Sequence, residues 1–172
     1  MFFFFDISFA SESKKVDFIS AVLPKIEKAK DDLGGVAEKI PVSLVLAQAI
    51  HESGWGTSNF AKNKKNLFGI KTVAVVASKS SKPKKKMVYK SFRNIELGIK
   101  YYLSNYVNND DYKDFRKHLK HGTTALIKHL GPYAEDPSYA KKLRKIIDDN
   151  NLLVYDAGLL RVKLLASPFF YV

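Results

Sequence analysis

Pro41 to Lys71, PVSLVLAQAIHESGWGTSNFAKNKKNLFGIK, is the stretch whose reading decides the fold. Pro41 presets φ for a helix start, and Ser43 is placed to cap the backbone donors behind it. Leu44, Val45, Leu46, Ala47, Ala49 and Ile50 follow, with Gln48 alone breaking the run. A run this apolar on nearly every side predicts a short helix buried in the middle of a fold. It ends in His51-Glu52-Ser53-Gly54-Trp55-Gly56. Most such runs are core and nothing more. A carboxylate, the chain's only Trp and two glycines at the mouth of a buried helix are poor choices for packing alone.

The chemistry points to Glu52. A partly buried carboxyl beside an apolar helix and the Trp55 indole loses hydration, which penalises its charged form and raises its pKa. Its place in the last helical turn, where unpaired carbonyls make the field negative, acts in the same direction. A carboxyl that keeps its proton near neutral pH is what a general acid needs to protonate a departing oxygen. Gln48, one turn back, and His51 are placed to tune it.

Downstream, Thr57 or Ser58 caps a short helix, Asn63 to Asn66 turn the chain, and Leu67 to Ile70 reads as a strand or extended segment. Thr72–Ala77 and Met87–Phe92 are β-prone and flank a lysine-rich loop, the pattern of a hairpin. That loop is either a grip for an anionic polymer or a solvated tip. Asn94 heads a core-facing helix to about Val107, followed by further helices over Tyr112–Leu119 and from Thr123 to Leu130. A second distinctive stretch, Gly131-Pro132-Tyr133-Ala134-Glu135-Asp136-Pro137-Ser138-Tyr139-Ala140, sets Asp136 as a cap and Pro137 as the first residue of a helix to about Asp149.

Two of these stretches carry a resemblance. LAQAIHESGWGTSNFAKNKKNLFGIK and the later Y-A-x-D-P-x-Y are similar, in the same order, to motifs of the glucosaminidase family of bacterial peptidoglycan hydrolases. This is the mannosyl-glycoprotein endo-beta-N-acetylglucosaminidase-like domain, and the likeness is closest to its Bax-like branch. The resemblance covers roughly Lys14 to Asp156. It implies a mainly α, lysozyme-like helical domain with a small β-hairpin lobe. It implies hydrolysis of the β-1,4 bond after N-acetylglucosamine, with the catalytic Glu on Glu52. By the same resemblance Tyr133 faces the cleft as a second catalytic group, and Asn66 and Phe68 line its floor. Gln48, Trp55, Asn66, Phe68 and Tyr139 are the substrate-binding candidates. Trp55 and Phe68 read equally well as core.

One departure matters. Many members of the family hold a second carboxylate in the lobe, yet between Ile70 and Phe92 this chain has no Asp or Glu. An inverting scheme with two facing carboxylates therefore lacks its base there, and Glu96 beyond the lobe reads as structural. The preferred route is substrate-assisted, with the sugar's own N-acetyl oxygen attacking the anomeric carbon. The alternatives are a lytic transglycosylase on the same fold, or a non-catalytic wall-binding module.

The remaining chain sets bounds. Its 172 residues, 46% apolar, suit one domain with a real core. Without Cys it has no disulfide, no thiol nucleophile and no Cys-based zinc site. His118, His121 and His129 follow no usual zinc spacing, so neither metal nor cofactor is expected. A net charge of +12 draws the chain to polyanions. Peptidoglycan, with its carboxylates, is the expected partner. Nucleic acid is not expected, since the basic loop lacks interleaved aromatics, and a monomer is.

Residues 1–13, MFFFFDISFASES, read as the remnant of an export signal or a flexible N-terminus, which points to the periplasm or cell envelope. Lys14 to Asp32 predicts an amphipathic helix, kinked or broken at Pro24. The segment 157–172 is an apolar tail of unknown role, too interrupted by Arg161, Lys163 and Pro168 to span a membrane.

Overall fold

The fold is seen in a computed structural model that describes residues 4–76, 84–130 and 137–157. The first helix, α1, spans Phe4–Leu33 as a single element of 30 residues. The expected start at Lys14 and break at Pro24 are therefore corrected. Pro24 lies on the exposed side of α1, so the hydrogen bond it forfeits opens to water rather than to the core. Val22, Leu23, Ile26 and Ala29 form the buried stripe beneath. A 3-10 turn, Ala37–Lys39, leads to α2, Val42–Ser53.

Helix α2 is the centre of the molecule. Every residue from Val42 to Ile50 is buried, and α1 and α7 (Pro137–Asp149) pack against it. Its N-terminus is not capped by Ser43. Asp156, 113 residues away, accepts from the Ser43 backbone N–H at 2.8 Å and from its hydroxyl at 2.6 Å. Thr123 donates to the same carboxylate at 2.7 Å. A carboxylate at a helix N-terminus satisfies orphan donors and complements the dipole. It also ties the last described turn, Leu152–Tyr155, to the start of α2.

Past Gly54, helix α3 spans Asn59–Lys64 with Ser58 as its cap. The next residues are a turn, where a strand or extended segment is expected from the sequence. Asn66 Oδ1 accepts from the backbone N–H of Phe68 at 3.3 Å and of Ile70 at 3.0 Å, which bends the chain back on itself. Asn66 Nδ2 donates to the carbonyls of Ile70 at 2.8 Å and Lys90 at 2.9 Å, closing the base of the hairpin. Strands β1 (Lys71–Val76) and β2 (Lys84–Tyr89) pair antiparallel from that base, with Lys71 opposite Tyr89 and Val73 opposite Met87. The second strand thus takes in the lysine run and ends earlier than the sequence suggests, because the Asn66 clamp at Lys90 ends the ladder. The loop between the strands lies outside the described residues.

Asn94 caps α4, Ile95–Asn108, by accepting from the Leu97 N–H at 2.8 Å. This helix packs along α1. A Cβ on Gly98 would stand 2.8 Å from the Lys65 carbonyl oxygen, so only glycine lets α4 approach the turn after α3 this closely. The two helices expected over 112–130 are instead a series of short pieces. They are α5 (Lys113–Lys117) and α6 (Thr123–Leu126), with 3-10 turns at Asp110–Tyr112, Leu119–His121 and Ile127–His129. Gly122, at φ +74°, divides them. The architecture is the expected one: a helical domain built around α2, with one small hairpin lobe.

Candidate active site

Glu52 sits in the last turn of α2 and lines an open groove of about 580 Å³. The floor and walls are Phe68, Gly69 and Ile70 from the Asn66 turn, Tyr102, Asn105 and Tyr106 from α4, and Tyr112 beyond it. Phe60, Lys71 and Tyr89 form the lobe side. Phe60 and Tyr89 stack with ring centres 4.5 Å apart. Phe68 and Tyr102 stack at 3.7 Å with planes 6° apart. Phe60 and Tyr89 keep open surface suited to the apolar face of a sugar ring, while Phe68, Tyr102, Tyr106 and Tyr112 are buried behind them as the groove's support. Among the described residues Glu52 is the only carboxylate lining it.

The two oxygens of Glu52 have different surroundings. Oε1 accepts from the Tyr139 hydroxyl at 3.2 Å. Oε2 lies beside Gly69, where a Cβ would stand 3.5 Å away. Burial drives the Glu52 pKa up, and this outweighs the opposing pull of His51 and of the Tyr139 hydrogen bond. The result is a carboxyl whose pKa lies above its ordinary value.

Gln48 orders this arrangement from below. It is fully buried. Its Nε2 donates to the Tyr139 hydroxyl at 3.1 Å, which directs the Tyr139 proton toward Glu52. Its Oε1 accepts from Tyr102, and from Tyr106 at 3.1 Å. The chain of bonds from α4 through Gln48 and Tyr139 to Glu52 fixes the acid's position from two helices at once.

The sequence candidates therefore divide. Glu52, Phe68 and Tyr139 are brought together. Gln48 acts through the tyrosines and has no exposed surface for a sugar. Asn66 is a correction: it is wholly buried and its amide is committed to four backbone groups, so it shapes the groove without entering it. Trp55 is a second correction. It lines a different cleft with Phe18, Lys15 and Lys62, its ring edge-on to Phe18 at 5.7 Å. Tyr133 lies outside the described residues.

Sequence reasoning missed Phe60, Lys71, Tyr89, Tyr102, Asn105, Tyr106 and Tyr112 as groove residues. Tyr102 and Tyr106 had one usable signal. Two phenols at i, i+4 on a core-facing stripe need buried polar partners, and the lone buried Gln48 is the natural one.

Comparison with known proteins agrees with this geometry. The family model described as mannosyl-glycoprotein endo-beta-N-acetylglucosaminidase matches residues 34–152. The chain is 33% identical over 124 residues to "Protein bax" of Escherichia coli, covering 67% of this chain and 44% of that protein. It is 28% identical over 176 residues to "Peptidoglycan hydrolase FlgJ" of Vibrio cholerae, covering 89% of this chain and 50% of that one. The chain spans about half the length of these curated relatives.

Among solved structures, the catalytic domain of the autolysin Auto from Listeria monocytogenes superposes with a TM-score of 0.60 at 19% identity. The match covers 91% of this chain and 99% of that one. A peptidoglycan hydrolase from Sphingomonas sp. A1 gives 0.58 at 30% identity, covering 79% and 89%. With the family model spanning α2, the hairpin lobe and all of α7, the chain belongs to the glucosaminidase family.

Proposed function

We propose that this domain is a peptidoglycan hydrolase that cleaves the β-1,4 bond after N-acetylglucosamine, with Glu52 as its general acid. The observation that carries the reading is a single carboxyl, its pKa raised by burial, set in an aromatic-walled groove and oriented by Tyr139. Membership of the glucosaminidase family supplies the substrate class, and the net charge of +12 suits a wall rich in carboxylates.

In the proposed mechanism Glu52 Oε2, the oxygen on the Gly69 side, gives its proton to the glycosidic oxygen as the bond to the anomeric carbon breaks. Tyr139 holds Oε1 and stabilises the carboxylate that forms. The N-acetyl oxygen of the substrate attacks the oxocarbenium-like carbon, and water later opens the ring so formed. This route needs one enzyme acid, in keeping with the lone groove carboxylate among the described residues. Tyr133 is proposed as a further support for the developing positive charge. We take Asp156 as the far boundary of the domain, a reading supported by its bonds to the start of α2. We place the protein in the periplasm or cell envelope, where this substrate lies. No helix among the described residues is long and apolar enough to cross a membrane.

Mass spectrometry of the products from purified peptidoglycan tests the reading. Reducing-end N-acetylglucosamine is the expected product. Anhydromuramic ends would make the domain a lytic transglycosylase. Intact glycan, with the protein still pelleting with the wall, would make it a binding module.

A further inference from the structure

The fold assembles a side-chain cluster that the spacing in sequence conceals. His118 follows α5, His129 ends the 3-10 turn after α6, and Asp114 lies within α5. The two imidazoles stack face to face, with centres 3.7 Å apart and planes 5° from parallel. His129 Nδ1 lies 2.6 Å from Asp114 Oδ2. His118 Nδ1 lies 2.8 Å from the Asp114 carbonyl oxygen and 3.7 Å from its carboxylate Oδ1. One donor atom from each of the three side chains falls within 4.8 Å of the other two. The His121 ring stands 5.6 Å from that of His118.

We propose that Asp114, His118 and His129 form a surface site for one divalent transition-metal ion of the zinc class. The donor set is the argument. Two imidazoles and one carboxylate are a ligand combination that zinc takes readily, at about 2.0–2.2 Å from each ligand atom. Tetrahedral ligands at that distance stand roughly 3.3–3.5 Å apart, so binding draws together donor atoms that now lie within 4.8 Å of one another and turns the two stacked rings out of parallel until both in-plane lone pairs meet at one ion. All three are partly exposed, which leaves room for that turn once the ion replaces the His129–Asp114 hydrogen bond: their side chains are 58%, 33% and 27% accessible for Asp114, His118 and His129. Water from the open side completes the coordination. Calcium and magnesium are the wrong class, since they take oxygen ligands.

The site is separate from the groove, whose lining contains none of these residues. Its position suggests what it does. Residues 110–129 are α5, α6 and 3-10 turns, each shorter than a helix that holds itself together in water. A metal joining Asp114 and His118 to His129 closes that run into a loop and ties α5 to the segment after α6.

Calorimetric titration of the tag-free chain with zinc at about pH 7.5, where an ordinary imidazole is neutral, tests this. The expected result is one ion per chain with a dissociation constant of about 1–10 μM, and a rise in the thermal midpoint with zinc. His118→Ala and His129→Ala each weaken binding at least about tenfold, and Asp114→Asn does so too. His51→Ala, the histidine beside Glu52, leaves binding unchanged. Each variant is first matched to wild type in metal-free melting, and any that fails is replaced by its His→Gln form. Replacing zinc with cobalt gives the visible absorption of a low-coordinate nitrogen–oxygen site, which His129→Ala abolishes. Three results overturn the proposal: no saturable uptake below about 100 μM, binding as tight as wild type in His118→Ala and His129→Ala, or loss of binding in His51→Ala alone.

Discussion

The Tyr139 hydroxyl donates to Glu52 Oε1 at 3.2 Å, joining the first turn of α7 to the last turn of α2 across 87 residues of sequence. Its effect on the acid has a definite sign. A hydrogen bond to the ionised form lowers a carboxyl pKa, so this bond opposes the upward push of burial. Tyr139→Phe removes the bond and leaves the ring. Lytic activity should then extend to higher pH, because Glu52 holds its proton further up the scale, while the maximal rate falls. A pH profile of kcat/KM checks this. An alkaline limb that stays in place or moves down would show that Glu52 is not the group titrating.

Glu52→Gln should abolish turnover while sparing the fold. Loss of a general acid costs about 10²–10⁴-fold in rate. The stability effect follows from linkage. A carboxyl whose folded pKa is raised binds more protons folded than unfolded, so its burden on stability grows as pH rises from its ordinary value of 4.5 through the raised one. Glutamine carries no such burden. The variant should therefore melt at or above wild type near neutral pH, and the gain should vanish at low pH. Melting curves across that range decide the matter, and a variant that melts lower at neutral pH would contradict it.

Asn66→Ala should be among the most damaging single changes in the protein. It removes all four side-chain bonds to backbone groups at the base of the hairpin. Each buried group left unpaired costs about 1–3 kcal/mol, and partial rearrangement will recover some of that. A loss of about 3 kcal/mol or more in denaturant unfolding is expected. Activity should fall with it, since the same turn carries Phe68 and Gly69 into the groove.

Gly98→Ala sets two effects against each other. In an exposed helix interior the change gains about 1 kcal/mol from propensity. Here the new methyl would meet the Lys65 carbonyl at 2.8 Å, and backbone must move to admit it. The clash should win, with a net loss of about 1–3 kcal/mol. Urea unfolding measures it, and a stabilised variant would mean that α4 and the turn after α3 slide apart freely.

Tyr89→Ala should raise KM more than it lowers kcat. Tyr89 stands on the lobe side of the groove, stacked on Phe60, and touches no part of the Glu52 hydrogen-bond chain. Loss of a ring wall removes binding shared by ground and transition states. Steady-state kinetics on a soluble glycan fragment would show the split.

Local pattern carried much of this protein. The apolar run from Leu44 to Ile50, broken only by Gln48, is enough to place a buried helix, and the carboxyl at its end is enough to suspect an acid, because both depend on residues a turn or less apart. The caps at Ser58 and Asn94 were legible for the same reason: each bonds backbone within its own first turn.

What pattern could not decide is where distant polar atoms find their partners. Ser43 looks like a cap, yet Asp156 does the capping. Trp55 looks like a cleft residue, and it faces Phe18 on α1 instead. Asn66 looks like a ligand for sugar, and the backbone consumes it. The stacking of His118 on His129 is invisible at their spacing in sequence and exists only because Gly122, the short helix α6 and two 3-10 turns fold one back on the other. Hydrophobic periodicity is a property of a segment, so a sequence displays it. The satisfaction of buried hydrogen bonds is a property of the packed whole, so only the tertiary structure settles which groups are left for chemistry.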